Sequence, residues 1–139
     1  MDQAVVKYYR AMLRKGFEYV GSLENPTIFL DTVGEKIRVC GHTSNNYMHI
    51  YISILDGHID DIKYLCTCDP TANVVVEVLC GLIKGQSVAE AAALSVEDFR
   101  QVIGGGEEEF VKKVKGVMEL LNRGLGRYQA ATTEPPEKS

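Results

Sequence analysis

Three sulfur atoms and one imidazole are the side chains of this chain best suited to chemistry. Cys40 and His42 stand two positions apart, and Cys66 and Cys68 have the same spacing further along. Thiolates and imidazoles are donors that suit zinc, copper(I) or iron-sulfur clusters. The intervening chain predicts a β-hairpin, which would bring both pairs to one edge of a small sheet. We therefore expect a metal or sulfur site at that edge.

A catalytic centre of a familiar type is not indicated. The sequence contains no Ser/His/Asp nucleophile pattern and no zinc-hydrolase helix motif, and the run Gly104-Gly105-Gly106 lacks the lysine and the spacing of a phosphate-binding loop. We expect that the protein is not an enzyme.

The composition is that of one ordinary globular domain. The chain has 139 residues, of which 45% are hydrophobic and 24% charged. A net charge of -4 and the absence of a basic run argue against a nucleic-acid partner.

Neither secretion nor membrane insertion is expected. The first ten residues lack the apolar stretch of a secretory signal. The longest apolar run, residues 74–83, contains Glu77 and is far shorter than the roughly 20 residues that cross a bilayer. We expect a cytoplasmic protein with no membrane partner, in which reducing conditions favour free thiols over disulfides.

The elements that would position the cysteines are read from periodicity and caps. Residues 4–18 have the apolar spacing of a first helix, and residues 27–33 are interpreted as a connecting arm. A first strand should begin at Lys36 and end at Cys40, because Ile37 and Val39 alternate with charged residues.

The next two strands should form a hairpin. Residues 47–54 alternate in polarity, Asp56-Gly57 suits a two-residue turn with positive φ, and a third strand should cover residues 59–66. Asp69-Pro70 then predicts the start of a helix over residues 70–84, with Cys80 in its core-facing middle.

The remaining chain predicts three more helices and a tail. Ser87 and Ser95 each open a short helix with a capping-box pattern, and a long helix follows the three glycines. Residues 130–139 have too few apolar side chains to be buried and are expected to form a disordered tail after a single domain of residues 1–129.

This order of elements resembles the IscU/NifU-type iron-sulfur cluster assembly scaffold, over roughly residues 4–125. The resemblance depends on Cys40-Gly41, on the hairpin sequence of residues 56–62, on Cys68 before a helix, and on residues 83–91, which look like the family's lysine-glycine turn and the helix start after it. It implies an α+β fold: an N-terminal helix, a three-stranded antiparallel sheet, and several helices packed on one face.

The resemblance also implies a ligand set. Family members hold a nascent cluster, or zinc, on three cysteines with an aspartate and often a histidine nearby. Cys40 and Cys68 match the first two cysteines and are the implied cofactor-binding residues, while His42 stands where the family has its aspartate.

The third family cysteine is missing from this sequence. Its position falls near Glu107 and Glu108, so a carboxylate replaces a thiolate there. Cys66 has no family counterpart and could supply a thiolate from the other side of the site. The implied metal ligands are therefore Cys40, His42, Cys66, Cys68 and Glu108.

In function, the resemblance implies a scaffold-like protein that binds iron, a [2Fe-2S] cluster or zinc and accepts sulfur. Its partners would be a cysteine desulfurase and recipient apoproteins. The resemblance leaves open whether the chain forms a homo-oligomer. The family's Leu-Pro-Pro-Val-Lys chaperone segment is absent, with Gly104-Gly105-Gly106 standing about where it would be.

Two alternatives remain beside the scaffold. The missing third cysteine would suit a degenerate scaffold-fold protein that serves as an interaction or regulatory module without cluster chemistry. A small thiol redox protein would instead cycle a Cys66/Cys68 or Cys40/Cys68 disulfide.

Overall fold

The computed structural model describes residues 2–39 and 46–133, so Cys40 and His42 lie outside the described residues. The elements in chain order are α1 (Gln3–Lys15), β1 (Ile28–Asp31), α2 (Thr32–Glu35), β2 (Met48–Leu55), β3 (His58–Cys66), α3 (Pro70–Ile83), α4 (Val88–Ala92), α5 (Val96–Ile103) and α6 (Glu108–Thr133). The α+β class is the one that the sequence predicted.

One antiparallel sheet contains the three strands, with β2 in the middle. Asp56 and Gly57 join β2 to β3 with φ angles of 54° and 76°, and positive φ at both positions is what a type I′ turn requires. The predicted hairpin is confirmed. At its other end Met48 pairs with Cys66, so Cys66 lies where the hairpin opens.

The prediction of the first strand is wrong. Strand β1 is Ile28–Asp31, within the segment expected to be a connecting arm, and it pairs with β2. Residues 36–39 form no strand. The first strand therefore ends at Asp31 and not at position 40, which lies outside the described residues.

Burial explains why the alternation was misleading. Ile37 and Val39 are both buried, as their spacing indicated, but residues 36–39 form no strand. The short helix α2 and a left-handed Lys36 (φ 60°) lead the chain away from β1. Alternating polarity thus predicted which side chains are buried, but not which backbone groups enter the sheet.

The helix ends follow the predicted capping chemistry. Asp69 caps α3 by accepting a hydrogen bond from the backbone N–H of Ala72 at 2.9 Å, and Pro70 is the first helical residue. Ser87 and Ser95 form capping boxes at the starts of α4 and α5. Helix α6 continues to Thr133, four residues into the segment expected to be a tail, and residues 134–139 lie outside the described part.

The helices cover one face of the sheet. Helix α3 contacts α1, α5, α6 and β3, and α6 also packs on β1. The buried side chains on the covered face of the sheet are Ile28, Leu30, Met48, Ile50, Ile52, Ile59, Ile62 and Tyr64. On the other face Phe29 is 47% exposed and contacts the rings of His49 and Tyr51.

Within the described ranges, no helix has both the length and the apolar character needed to cross a bilayer.

Candidate metal and sulfur site

Cys66 and Cys68 lie at the open end of the β2–β3 hairpin. Cys66 is the last residue of β3, and one further pair continues the ladder: the N–H of Thr67 donates to the carbonyl of Tyr47, and the N–H of Tyr47 donates to Thr67 Oγ1, both at 3.0 Å. The Sγ atom of Cys68 lies 3.6 Å from the carbonyl oxygen of Tyr47. The hairpin therefore fixes where both cysteines leave the sheet.

Cys68 also stands directly before the start of α3. Its neighbour Asp69 is the N-cap residue of that helix. The N-terminal end of a helix carries a partial positive charge, which favours a nearby thiolate over a thiol. This position supports either metal binding or sulfur chemistry at Cys68 when it is reduced.

The three described cysteines differ in whether their sulfur is a free thiol or part of a disulfide. Cys66 and Cys80 are free thiols, whereas Cys68 is disulfide-bonded. The expectation of reduced thiols thus holds in this structure for Cys66 and Cys80, whereas the structure differs from it at Cys68. Of the two disulfides considered for a redox function, the Cys66/Cys68 pair is not formed.

Burial raises the pKa of both free thiols above that of an ordinary cysteine. It raises the pKa of Cys66 to about 11, with the charge of Asp69 adding to the rise and the backbone N–H of Cys68 opposing it. Burial also raises the pKa of Cys80 well above its usual value. Cys80 is fully buried in α3, as predicted for a core residue.

A buried lysine of α6 joins the segments that carry the candidate cysteines. Lys113 Nζ donates a hydrogen bond to the carbonyl oxygen of Val39 at 2.7 Å. The same nitrogen lies 3.4 Å from Asp69 Oδ2 and 3.4 Å from Glu109 Oε2. Only 9% of the lysine side chain is exposed, whereas the side chains of Asp69 and Glu109 are 45% and 63% exposed.

Two contact partners of Lys113 are the sequence neighbours of candidate cysteines. Val39 directly precedes Cys40, and Asp69 directly follows Cys68. One turn along α6, a Cβ on Gly116 would lie 3.1 Å from Val39 Cγ2, so the missing side chain lets residue 39 approach the helix closely. Two segments far apart in sequence are thus held against the same stretch of α6.

The start of α6 is tied to the N-terminus of the chain. The N–H of Glu107 donates to Asp2 Oδ2 at 2.6 Å, while Asp2 Oδ1 accepts from the N–H of Ala4 and caps α1. Glu108 is exposed in the first turn of α6. Its carboxylate is available to solvent.

The described residues include three of the five predicted ligands, Cys66, Cys68 and Glu108. Among residues 2–39 and 46–133, no three His, Cys, Asp or Glu side chains gather closely enough to hold a metal ion. Cys66, Cys68 and Glu108 therefore do not form such a group by themselves, and Cys40 and His42 fall outside the described residues. The complete ligand set stays a prediction.

Lys113 was missed by the sequence analysis, although a signal for it exists. It lies three residues after Phe110 and four before Val117, so a helix places it on the apolar face. A lysine on a buried face needs a partner. That spacing could have identified it, but not its contact with Val39.

No protein-family model and no curated protein matches the chain in sequence. In structure it is similar to a protein from Fervidobacterium islandicum AW-1 that is assigned as an iron-sulfur cluster assembly scaffold for the SUF system: the TM-score is 0.60 and the identity 15%, over 90% of this chain and 96% of that one.

A second structural relative is the N-terminal part of a nitrogen-fixing NifU-like protein from Brucella abortus. The TM-score is 0.58 at 11% identity, covering 92% of this chain and 93% of that one. The property shared with both proteins is the fold, and it is the IscU/NifU-like fold that the sequence resemblance implied.

Proposed function

We propose that this chain is a scaffold-like protein of iron-sulfur cluster assembly. It binds iron, a [2Fe-2S] cluster or zinc through Cys40 and Cys68, with His42, Cys66 and Glu108 as further candidate ligands. It holds and passes on this cargo and does not turn over a substrate.

The observation that carries the proposal is the convergence at Lys113. The residue before Cys40 and the residue after Cys68 contact one buried nitrogen. This convergence occurs on a fold shared with a protein assigned as a cluster assembly scaffold. Fold alone does not imply function, and the contacts of Lys113 with Val39 and Asp69 support a site near the two cysteines.

The donor set suits the proposed cargo. Cysteine thiolates are the usual ligands of iron-sulfur clusters, and zinc accepts sulfur, imidazole nitrogen and carboxylate oxygen together. Carboxylates stand close to the two segments at Asp69 and Glu109, both of which contact Lys113. Because a disulfide sulfur is not a thiolate, Cys68 must be reduced before it can bind metal.

Sulfur acceptance follows from the same thiolate. When the accepting cysteine attacks the outer sulfur of a persulfide on a donor protein, a new S–S bond forms on the acceptor and the donor leaves as a thiolate. The helix start behind Cys68 favours the attacking thiolate. We propose a cysteine desulfurase as the donor and apoproteins as the recipients of the finished cluster.

The test is anaerobic reconstitution of the reduced chain with iron and sulfide, followed by absorption spectra and metal analysis. We expect the wild type to retain iron and sulfide, and Cys40→Ser and Cys68→Ser each to lose most of both. Cys80→Ala is the matched control, because that thiol is fully buried in α3. It should retain as much iron as the wild type.

The same experiment can reject the proposal. Retention of neither iron nor zinc by the wild type, with Cys40 and Cys68 unreactive towards alkylating agents, would favour the interaction or regulatory module. Equal retention by wild type and both serine variants would show that these cysteines are not the ligands.

One observation favours a second candidate, a thiol redox protein. Cys68 is disulfide-bonded while Cys66 and Cys80 are free thiols. In a redox cycle a dithiol donor would supply two electrons and two protons, and the disulfide would open to two thiols as the donor closes its own. A reversible two-electron titration of Cys68 without bound metal would support this candidate.

A further inference from the structure

We infer that the outer edge of strand β1 is a docking site for a partner protein, which adds an extended segment there as a fourth strand of the sheet. The segment places one apolar side chain and one carboxylate in the space between β1 and α6. This inference goes beyond the proposed function and depends on neither metal binding nor sulfur chemistry.

The two edges of the sheet differ in how they are covered. At the β3 edge, the N–H of Tyr64 donates to the carbonyl of Tyr19 at 2.9 Å, and the N–H of Gly21 donates to the carbonyl of Tyr64 at 2.8 Å. The buried carboxylate of Glu77 accepts from the N–H of Glu18 at 2.9 Å and so fixes this covering segment. The chain after α1 therefore protects β3 from pairing with another strand.

Strand β1 has no such cover within the described ranges. Its residues, Ile28–Asp31, pair with β2, and no backbone hydrogen bond joins them to a described segment on the other side. Three of the four side chains are apolar, and Phe29 is exposed. A strand edge of this kind is a template for a further strand, because its outward N–H and C=O groups can pair with an added chain.

A cavity lies beside this edge, between β1 and the C-terminal half of α6. This β1–α6 groove has a volume of about 310 Å³ and is lined by residues 27–29 on one side and by Gly124, Arg127, Tyr128 and Ala131 on the other. Cavities that hold small ligands begin at about this size. Because successive side chains of a strand alternate between two faces, a strand added to β1 would direct every second side chain towards the face that α6 covers, where the groove lies.

The lining of the β1–α6 groove determines which side chains it suits. Ile28, Phe29 and Tyr128 provide apolar surface, which favours an apolar side chain. The side chain of Arg127 is 57% exposed and uses Nη2 for its bond to Glu35 at 2.7 Å. Its other N–H groups have no hydrogen-bond partner among the described residues, and guanidinium groups bind carboxylates through paired hydrogen bonds. The groove therefore fits a segment with an apolar residue close to an acidic one.

The test selects binders from a phage-displayed library of random peptides on the immobilised full-length chain. The enriched peptides are synthesised, and fluorescence anisotropy gives their dissociation constants for the wild type and two matched variants. Ala131→Phe fills the β1–α6 groove from an exposed position of α6. Ala130→Phe places the same side chain at the neighbouring exposed position, which does not line the groove.

We expect the enriched peptides to share an apolar residue close to an acidic one. Their affinity should fall at least about tenfold for Ala131→Phe, as for the loss of a contact at the centre of an interface. Ala130→Phe should bind them like the wild type. Both positions are exposed, so circular dichroism should show that both variants keep the helix content of the wild type.

A second pair of variants tests the carboxylate contact. Arg127→Glu and Glu35→Gln both break the ion pair between α6 and α2, but only the first removes the guanidinium group. We expect Arg127→Glu to weaken peptide binding by about tenfold or more, because a charge-assisted hydrogen bond is lost. Glu35→Gln should bind the peptides at least as tightly as the wild type. Equal losses in the two variants would contradict a contact between the peptide carboxylate and Arg127.

Strand addition has its own readouts. The N–H groups of alternate residues of an extended peptide point to the same side, so only one of the two alternating sets can donate to β1. Methylation of that set of peptide nitrogens should abolish binding, whereas methylation of the other set should be tolerated. In addition, amide protons of residues 28–31 that exchange with solvent in the free protein should become protected when the peptide is bound, as measured by NMR.

Several results would overturn the inference. It is wrong if the selection yields no peptide, if Ala131→Phe binds the enriched peptides as well as the wild type does, or if methylation of either set of nitrogens is tolerated. Self-association of the wild type that Ala131→Phe abolishes, measured by sedimentation, would show that a second copy occupies the groove. Peptides that bind only a chain shortened to end at Thr133 would assign the groove to residues 134–139 instead of a partner protein.

Discussion

At the scale of single residues, Cys66 and Cys68 differ in their position in the fold. Cys66 ends a strand whose alternate residues Ile62 and Tyr64 are buried, and its own thiol packs against the core. Cys68 also packs against the core, but it has left the sheet and stands directly before the start of a helix. We therefore propose Cys68 as the reactive cysteine and Cys66 as a further candidate ligand.

The raised pKa of Cys66 predicts slow alkylation in the reduced, metal-free protein. Only the thiolate reacts, so the rate with iodoacetamide should rise about tenfold per pH unit and level off near the pKa of about 11. Mass spectrometry of the Cys66 peptide gives the rate. The same peptide in denaturant should level off near the ordinary thiol pKa of about 8.5, and an identical profile in the folded protein would contradict the burial.

Glu77 is a second residue whose surroundings allow a prediction. It is 4% exposed, and its carboxylate accepts hydrogen bonds from the N–H of Glu18 at 2.9 Å and from the hydroxyl of Tyr64 at 3.0 Å. Glu77→Ala would leave both donors without this partner. We expect the free energy of unfolding to fall by about 3 kcal/mol.

Chemical denaturation would measure the effect of Glu77→Ala, with Glu24→Ala as its control because Glu24 is exposed. The control should change the free energy of unfolding by less than about 0.5 kcal/mol. Equal effects of the two substitutions would show that the Glu77 hydrogen bonds do not stabilise the attachment of the residues after α1.

At the scale of elements, two glycines of α6 provide a matched pair. A Cβ on Gly124 would overlap Leu30 Cδ2 and lie 3.1 Å from Ile28 Cγ2, whereas nothing lies within 4 Å of one on Gly126. Gly124→Ala should lower the free energy of unfolding by about 1–3 kcal/mol, because it overpacks the contact between α6 and β1. Gly126→Ala should raise it by up to about 1 kcal/mol through helix propensity.

Urea unfolding of both variants checks this contact. A stabilising effect of Gly124→Ala as large as that of Gly126→Ala would mean that α6 does not approach β1 as closely as the structure has it.

The attachment of α2 to α6 should depend on pH. Glu35 accepts from Arg127 Nη2 at 2.7 Å and lies 3.4 Å from Arg123 Nη1, and these guanidinium groups lower the pKa of its carboxyl. A carboxyl with a lowered pKa stabilises the fold above its unfolded pKa, and that stabilisation is lost as the pH falls through the folded value.

The difference in melting temperature between wild type and Glu35→Gln should thus be constant above about pH 5 and shrink as the pH falls further. Because these groups are near the surface, high salt should also reduce the difference. A difference that grows towards acid pH would contradict the assigned ion pairs.

The elements also show what the sequence could and could not predict. The turn at Asp56-Gly57 and the cap at Asp69 were predictable because each depends on a few adjacent residues with strong conformational preferences. Strand β1 was missed because its four residues form a strand by pairing with β2, and this pairing is a contact between distant segments. The local sequence pattern does not predict contacts between distant segments.

At the scale of the whole molecule, the fold class was predictable and the site only in part. The order of the predicted elements, together with the motifs at residues 40–41, 56–62, 68 and 83–91, indicated the IscU/NifU-like fold shared with the two structural relatives. The meeting of Val39, Asp69 and Lys113 was not predictable, because it depends on how α6 packs against segments far away in sequence.

The central claim is that Cys40 and Cys68 together hold metal or a cluster. The most direct measurement is the intact mass of the reduced chain after anaerobic reconstitution, by mass spectrometry under non-denaturing conditions, for the wild type and for the double variant Cys40→Ser/Cys68→Ser. The claim predicts a mass increase corresponding to bound iron and sulfide, or to zinc, for the wild type and none for the double variant. An unchanged wild-type mass, or the same increase for both proteins, would contradict it.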